Sequence, residues 1–423
     1  MAGLNKTPSG MRINIGFFGK TNSGKSSIIN ALAGQDVSIV SDKPGTTTDP
    51  VYKAMEISPI GPCLLTDTAG LGDETELGGH REERTKRVAA ECDIAVVVFF
   101  KEDIDIEMNM VTFFENKNVP VIPVIGHADE QKCRADQASP ERSDRGSSEW
   151  IDKTEERIKN AFEKSGRDDA KSGISIIRVS PVTGFGMDEL KNEIIRVAGS
   201  LPEPSILGDM VSAGDLVMCV MPQDKQAPKG RLILPQVTTL RELLDKHARI
   251  MCVAPEEMSE ALGELKNAPK LIITDSQVFD KVYELKPEES RLTSFSVLFA
   301  AYKGDVDSYV EGAKAITDLK PGARVLVAES CSHAPLDEDI GREKIPNLLR
   351  KKVGGEIEVD VVAGKDFPED LTKYDLILQC GGCMVNRRLI LSRIEAAKDQ
   401  GVPITNYGIA IAFLKGILDK ITL

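Results

Sequence analysis

Aromatic residues are scarce in this chain, at 5% of 423 residues, with a single tryptophan and four histidines. No apolar run approaches the ~20 residues that a membrane-crossing helix needs, which argues against a place in the membrane. No leader-like segment precedes the first apolar run, so the expected location is cytoplasmic. An excess of positive charge is also missing: 53 Lys and Arg stand against 66 Asp and Glu, a net charge of −13. A polyanion is repelled by such a chain on average, which counts against non-specific nucleic-acid or anionic-membrane binding.

What is present is ordinary for a globular protein, with 41% hydrophobic and 28% charged residues. The length exceeds what one core organises, so two or three domains are expected. The pattern implies α/β architecture: a P-loop domain over 1–200, a middle α/β domain over 205–290 that either keeps to its own core or serves dimerisation, and a C-terminal α/β domain over 291–423. Eight cysteines occur. In a reducing cytosol they are not expected to pair as disulfides. Most of Cys63, Cys92, Cys133, Cys219 and Cys252 sit in or beside apolar runs and read as small buried hydrophobes.

The first domain is organised around Gly19-Lys-Thr-Asn-Ser-Gly-Lys-Ser26, which fits G-x-x-x-x-G-K-[ST]. An alternating apolar run, Arg12-Ile-Asn-Ile-Gly-Phe-Phe18, precedes it as a strand, and Ser27-Ile-Ile-Asn-Ala-Leu32 follows as a helix. Glycines let backbone N–H groups curl around phosphates, and the helix N-terminus adds partial positive charge. Gly19, Asn22, Ser23, Gly24, Lys25, Ser26 and Ser27 are the nucleotide-binding candidates. Lys25 reaches the β- and γ-phosphates, and the Ser26 hydroxyl ligates Mg2+.

Further motifs follow in order. Asp42-Lys-Pro-Gly-Thr-Thr-Thr-Asp-Pro50 supplies a threonine to Mg2+ and the γ-phosphate, with Thr47 preferred over Thr46 and Thr48. A strand ends in Asp67-Thr-Ala-Gly70, giving a Walker-B Asp67 and a Gly70 amide for the γ-phosphate. Strands recur at 94–100, 119–125 and 174–180 with helical stretches between, which reads as a parallel doubly wound sheet. Where GTPases carry Asn-Lys-x-Asp this chain has Gly126-His127-Ala128-Asp129. Asp129 accepts from guanine N1 and N2, a pairing adenine lacks, so GTP/GDP is expected rather than ATP. The missing Asn and Lys remove support for that base-recognition loop, so a modest nucleotide affinity is expected. Ser180-Pro-Val-Thr-Gly184 stands where the last guanine-loop motif belongs.

The middle segment shows apolar stretches at 216–221, 232–234 and 270–274 and helical patterns at 239–246 and 255–266. Lys229-Gly-Arg-Leu-Ile-Leu-Pro-Gln236 is a β-prone run able to pair across a subunit boundary. In the last third, strands are expected at 324–329, 356–362, 375–379 and 402–406. Two of them run into Cys331-Ser-His333 and Cys380-Gly-Gly-Cys383. In a parallel sheet both groups leave the same edge. Three thiolates with an exchangeable fourth position suit an iron–sulfur cluster. Zinc on Cys3His matches by ligand count. A redox pair accounts for Cys380 and Cys383 but leaves Cys331 and His333 idle.

Taken together, the motifs resemble two related groups. Asn22 in the phosphate loop and Leu71 after Asp-Thr-Ala-Gly are similar to the TrmE/Era-like GTPases. That likeness implies K+ at Asn22, and slow turnover, since Leu71 replaces the glutamine that orients water in Ras-like proteins. The whole chain resembles the FeFe-hydrogenase maturation GTPases, and 229–236 and Thr405-Asn-Tyr-Gly408 look like family segments. The resemblance implies a homodimer with a 4Fe-4S cluster on Cys331, Cys380 and Cys383. It implies a di-iron precursor as cargo, received from radical-SAM maturases (HydE and HydG) and delivered to apo FeFe-hydrogenase. Many members have His before Cys-x-x-Cys, where this chain has Gln379, so a histidine ligand would be His333, the only one in that domain. Water, a carboxylate or the cargo are the other choices. A tRNA-modification or ribosome-assembly GTPase is the rival reading, opposed by the acidic charge. A Cys-x-x-Cys oxidoreductase fused to a switch domain is a further one.

Overall fold

A computed structural model describes residues 7–34, 42–43, 51–68, 70, 85, 87–127, 145–164, 175–202, 204–222, 232–330 and 339–423. Thr47, Leu71, Asp129, Cys331 and His333 lie outside these. The chain divides into two compact units, Met1–Pro202 and Glu203–Leu423.

The first unit is a sheet of β1 (Ile13–Phe18), β2 (Asp42–Lys43), β3 (Val51–Ile57), β4 (Gly61–Asp67), β5 (Ile94–Phe99), β6 (Val121–Ile125) and β7 (Ile177–Arg178). Its order is β2-β3-β4-β1-β5-β6-β7. Strands β4, β1, β5, β6 and β7 are parallel, as expected. A strand that the sequence did not reveal, β3, extends one edge and pairs antiparallel with β4 from Val51↔Asp67 to Ile57↔Gly61. The physical reason is the short Ser58–Ile60 connection. Antiparallel strands need only a tight turn, whereas a parallel pair needs a crossover of a dozen residues or more.

Alternation along the central strands builds two faces. Ile15, Phe17, Val96 and Val98 pack under α1 (Lys25–Gly34) and α4 (Met187–Gly199), against Ile28, Leu32, Leu190 and Ile194. Phe18, Val97 and Phe99 face α2 (Asp105–Asn116) and α3 (Arg145–Lys164), meeting Val111, Phe114, Ile151 and Ile158. Every residue of β5 is buried, as a strand covered on both faces requires.

The second unit holds two four-stranded parallel sheets. One has the order β11-β10-β8-β9, from β8 (Leu216–Val220), β9 (Arg249–Val253), β10 (Leu271–Thr274) and β11 (Arg291–Ser294). Its last strand therefore comes from just beyond the 205–290 segment. Its helices are α5 (Leu234–Asp245), α6 (Met258–Gly263), α7 (Phe279–Leu285) and α8 (Phe295–Lys303). The run ending at Gln236 is corrected in its described part: Leu234-Pro-Gln236 opens α5 and is not a strand. Pro235 in the first turn is preorganised for a helix start, and the Gln236 side chain accepts from the Ile233 N–H at 3.2 Å. Cys63, Cys92 and Cys219 are buried as expected, whereas Cys252 is exposed, because β9 is an edge strand.

The third sheet has the order β13-β12-β14-β15, from β12 (Arg324–Ala328), β13 (Glu358–Val362), β14 (Leu376–Gln379) and β15 (Ile404–Asn406). Helices α9 (Val306–Lys314), α10 (Ile345–Val353), α11 (Arg387–Asp399) and α12 (Tyr407–Leu414) accompany it. The two sheets share one apolar cluster that runs from Met218 and Ile272 to Leu326, Ile377 and Ile404. Helix α12 lies inside it, with Ile409, Ala410 and Ala412 fully buried. Among the described residues, no helix is long and apolar enough to cross a membrane.

Candidate functional site

In the first unit β1 delivers the chain into the loop 19–24, and α1 begins at Lys25. Gly19 and Gly24 have φ of 145° and 91°, and Asn22 has φ of 63°. These conformations favour Gly, and Asn tolerates them better than most residues. Gly19 has a second constraint: a Cβ there would stand 2.4 Å from the Val98 carbonyl oxygen.

Lys25 Nζ donates to the Gly19 carbonyl at 3.0 Å and the Lys20 carbonyl at 2.7 Å, so its ammonium sits at the centre of the loop. Burial lowers its pKa to about 8, and Asp67 and Glu107 oppose that shift. Glu107 on α2 is fully buried, and its carboxylate accepts from the Lys20 N–H at 3.4 Å. Lys20 Nζ pairs with Asp103 at 2.8 Å. This acidic anchor under the loop carried no signal in the sequence, because α2 follows the loop by more than eighty residues.

Ser26 Oγ donates to Asp67 Oδ2 at 2.5 Å. Burial raises the Asp67 carboxyl above the usual carboxylate range, with the Ser26 hydroxyl and Lys25 pulling it back. Asp67 Oδ1 is buried with no hydrogen-bond partner. A hydroxyl, a carboxylate and an orphaned carboxylate oxygen form a hard-oxygen set that fits Mg2+. Gly70 packs directly on the loop, where a Cβ would stand 2.5 Å from Thr21 Cα and 2.6 Å from Thr21 N. Backbone cannot yield as a side chain can. Gly70→Ala is therefore expected to weaken nucleotide binding at least tenfold while the apo protein still melts cooperatively, as checked by fluorescent-nucleotide titration and calorimetry.

On the base side, Gly126 N donates to Phe99 O at 3.1 Å, and a Cβ on Gly126 would stand 2.7 Å from Ser23 O. The His127 ring lies with Nε2 3.3 Å from Asn22 O, and its centroid is 4.5 Å from that of Phe100. At the position of the missing Asn-Lys, a histidine touches the phosphate-loop backbone. Ser180 is buried, and its Oγ accepts from Thr183 N at 3.3 Å, closing the 180–184 turn.

In the second unit the ends of β12 and β14 are neighbours, with Ala328 opposite Gln379. Cys380 N donates to Ala328 O at 3.0 Å, and Cys380 Sγ accepts from Ser330 N at 3.0 Å. Burial raises the Cys380 thiol, and its contact with Ser330 opposes that. Cys383 follows a turn through Gly382, whose φ is 65°. Both thiols are partly buried. Among the described residues no three metal-binding side chains gather. Two thiols at a strand end, one already accepting an amide N–H, are of the donor type that clusters use.

A phosphate loop opening a helix, a carboxylate against its serine, and a mostly parallel sheet define the first unit as a P-loop GTPase domain. The class ligand is GTP or GDP with Mg2+. The model for a 50S ribosome-binding GTPase matches residues 14–127. The hydrogen maturase F dimerization domain matches 206–304, and the hydrogen maturase F tetramerization domain matches 307–422. The chain belongs to the hydrogen maturase F family, HydF.

Among curated proteins, the chain is 41% identical over 98 residues to the GTPase Der of Wolinella succinogenes, covering 22% of this chain and 20% of that one. It is 28% identical over 196 residues to the tRNA modification GTPase MnmE of Endomicrobium trichonymphae, covering 44% and 36%. The chain thus spans about a third or less of the length of these relatives. Among solved structures it is similar to Era of Aquifex aeolicus bound to GDP and AlF4−, at 18% identity and a TM-score of 0.30, covering 66% of this chain and 98% of that one.

Proposed function

We propose that this chain is a GTP-hydrolysing scaffold that holds a 4Fe-4S cluster and carries the di-iron precursor of the FeFe-hydrogenase active site. The observation that carries the reading is the pair of thiols at the carboxyl end of β14, within a chain matched by both hydrogen maturase F domains. Lys25 holds the β- and γ-phosphates, Ser26 and Asp67 hold Mg2+ with Thr47, and the Gly70 amide meets the γ-phosphate. Asp129 and Ser180 serve the base, and Asn22 serves K+. The cysteines at 331, 380 and 383 hold the cluster, which offers an exchangeable iron position for cargo when bound; His333 is one candidate for the fourth ligand.

The domain descriptions support self-association, as a dimer through 206–304 and a higher assembly through 307–422. Radical-SAM maturases HydE and HydG are the expected donors and apo-hydrogenase the acceptor, all in the cytoplasm. GTP binding biases the loops around Thr47 and Gly70 and so alters partner exchange. The likeness to the tRNA-modification relative covers 44% of the chain, and an RNA substrate is not adopted.

With Leu71 unable to orient water, turnover is slow and needs added positive charge. Replacing Na+ by K+ at constant ionic strength is expected to raise turnover at least tenfold, and Asn22→Ala to abolish the difference. The test of the whole reading is anaerobic reconstitution with iron and sulfide, followed by EPR of the reduced protein. A 4Fe-4S signal supports it. Absence of iron uptake sinks it and leaves a GTPase domain joined to two domains of other purpose.

A further inference from the structure

Two thiols face each other across the first sheet of the second unit. Strand β8 pairs in parallel with β9 in the register Val217↔Ile250 and Cys219↔Cys252. Side chains alternate along a strand, so facing residues, and residues two apart, share one side of the sheet. The packing agrees. Val217 and Cys219 are buried in one apolar cluster with Leu243 of α5 and Leu298 of α8, and Ile250 packs against it. Cys252 stands on that same side, two residues beyond Ile250.

The two positions differ in access. Cys219 is fully buried, whereas Cys252, on an edge strand, is exposed. Their side chains are in hydrogen-bonding contact, which with burial holds the proton on Cys219 and draws the Cys252 thiol below its ordinary range. The thiolate is the nucleophilic form of cysteine, and an accessible thiolate beside a second thiol is the arrangement that oxidants modify. The spacing permits a bond. Neighbouring strands lie about 4.7–4.9 Å apart, within the span of about 4.4–6.8 Å that a disulfide covers between Cα atoms. Cys63, by contrast, faces Ile13 and Met55 across its sheet, and burial pushes its thiol up to about 12.

We propose that Cys219 and Cys252 are an oxidative modification site that forms a reversible disulfide on meeting hydrogen peroxide, Cys252 attacking and Cys219 resolving. The Cys252 thiolate attacks one peroxide oxygen and the O–O bond breaks. The hydroxide released takes up the proton that Cys252 had lost and leaves as water, and the sulfur is now a sulfenic acid. Cys219 then attacks that sulfur. The S–S bond forms, the S–O bond breaks, and the hydroxyl leaves with the Cys219 proton as a second water. Two thiols are oxidised by two electrons in total, and one peroxide is reduced to two waters. The bond ties edge strand β9 to β8 within the segment matched by the dimerization domain.

The test treats the full chain with hydrogen peroxide, blocks the remaining thiols with iodoacetamide and maps disulfides by peptide mass spectrometry. Wild type is expected to give a Cys219–Cys252 link within one chain that dithiothreitol reverses. In Cys219→Ala, which keeps the position apolar, the sulfenic acid should persist on Cys252 and be trapped by dimedone. Cys252→Ala changes an exposed position and remains informative if Cys219→Ala fails to fold; in it Cys219 should survive peroxide unmodified. Oxidation of wild-type Cys252 without the link to Cys219, a link between Cys252 residues of two chains, or no reaction of Cys252 each overturns the proposal. So does loss of the Cys219 thiol at an equal rate in Cys252→Ala. Iron content enters none of these readouts, so failure here leaves the cluster reading standing.

Discussion

Lys25→Met is expected to lower GTP turnover by about a hundred- to a thousandfold, the scale for losing one donor aimed at developing charge, and yet to stabilise the nucleotide-free protein. Both effects come from one geometry. Lys25 is 6% exposed, and its ammonium is held by the Gly19 and Lys20 carbonyls at the loop centre. Burial brings its pKa from 10.5 to about 8. Below pH 8 the lysine is protonated in both folded and unfolded chains, and the folded state bears the whole cost, about 3 kcal/mol. Between pH 8 and 10.5 the unfolded chain binds more protons, so stability rises with pH until the cost has gone. Nucleotide phosphates supply the missing countercharge, so the same lysine that destabilises the free protein favours the bound one. Methionine keeps most of the stem without the charge. Thermal melts from pH 7 to 10.5 should show a wild-type stability that climbs relative to the variant. A lower melting temperature for the nucleotide-free variant at pH 7, or parallel pH profiles, would refute the account.

The nucleotide site was legible where its chemistry is contiguous. Residues 19–26 and 67–70 announce themselves because phosphate binding requires those residue types at fixed spacing, and the structure brings Ser26 onto Asp67 as the motifs imply. The parallel core strands were legible for the same reason, as unbroken apolar runs between helical patterns. Contacts that depend on the register of distant segments were hidden. Glu107 reads as an ordinary helical carboxylate until α2 seats it under Lys20. His127 reads as the loss of a motif until its ring reaches Asn22 O. Strand β3 was missed because its burial is uneven, with only Met55 and Ile57 fully covered, so the period-2 signal is weak. Likewise β9 was missed although Ile250-Met-Cys-Val253 is apolar; it lies at a sheet edge with its residues partly exposed. At the thiol edge the cysteines were legible, but the facing of Cys219 and Cys252 was not, since register between two strands leaves no local pattern.

Cys380→Ala and Cys383→Ala are each expected to reduce reconstituted iron from a full cluster to background, and the two should differ in what they do to the apo protein. Two thiolates alone leave a cluster too few protein ligands, so either loss acts nearly all-or-none on iron. The sulfur of Cys380 also accepts the Ser330 N–H at 3.0 Å and lies beside Gln379 Nε2. Alanine there strands a backbone donor at the end of β12, at a cost of about 1–3 kcal/mol. Cys380→Ala should therefore melt lower than wild type even before iron is added, while Cys383→Ala, one turn further out, should melt closer to it. Cys331→Ala should match the other two in iron. Cys252→Ala, on an exposed edge strand of the other sheet of the second unit, should keep a full complement. Iron retained in Cys331→Ala with loss in the other two would point to a pair rather than a triad. Iron lost equally in Cys252→Ala would mean the metal is held non-specifically by accessible thiols. Only the pattern of three losses and one retention, read with the apo melting order, assigns the cluster to this edge of the third sheet.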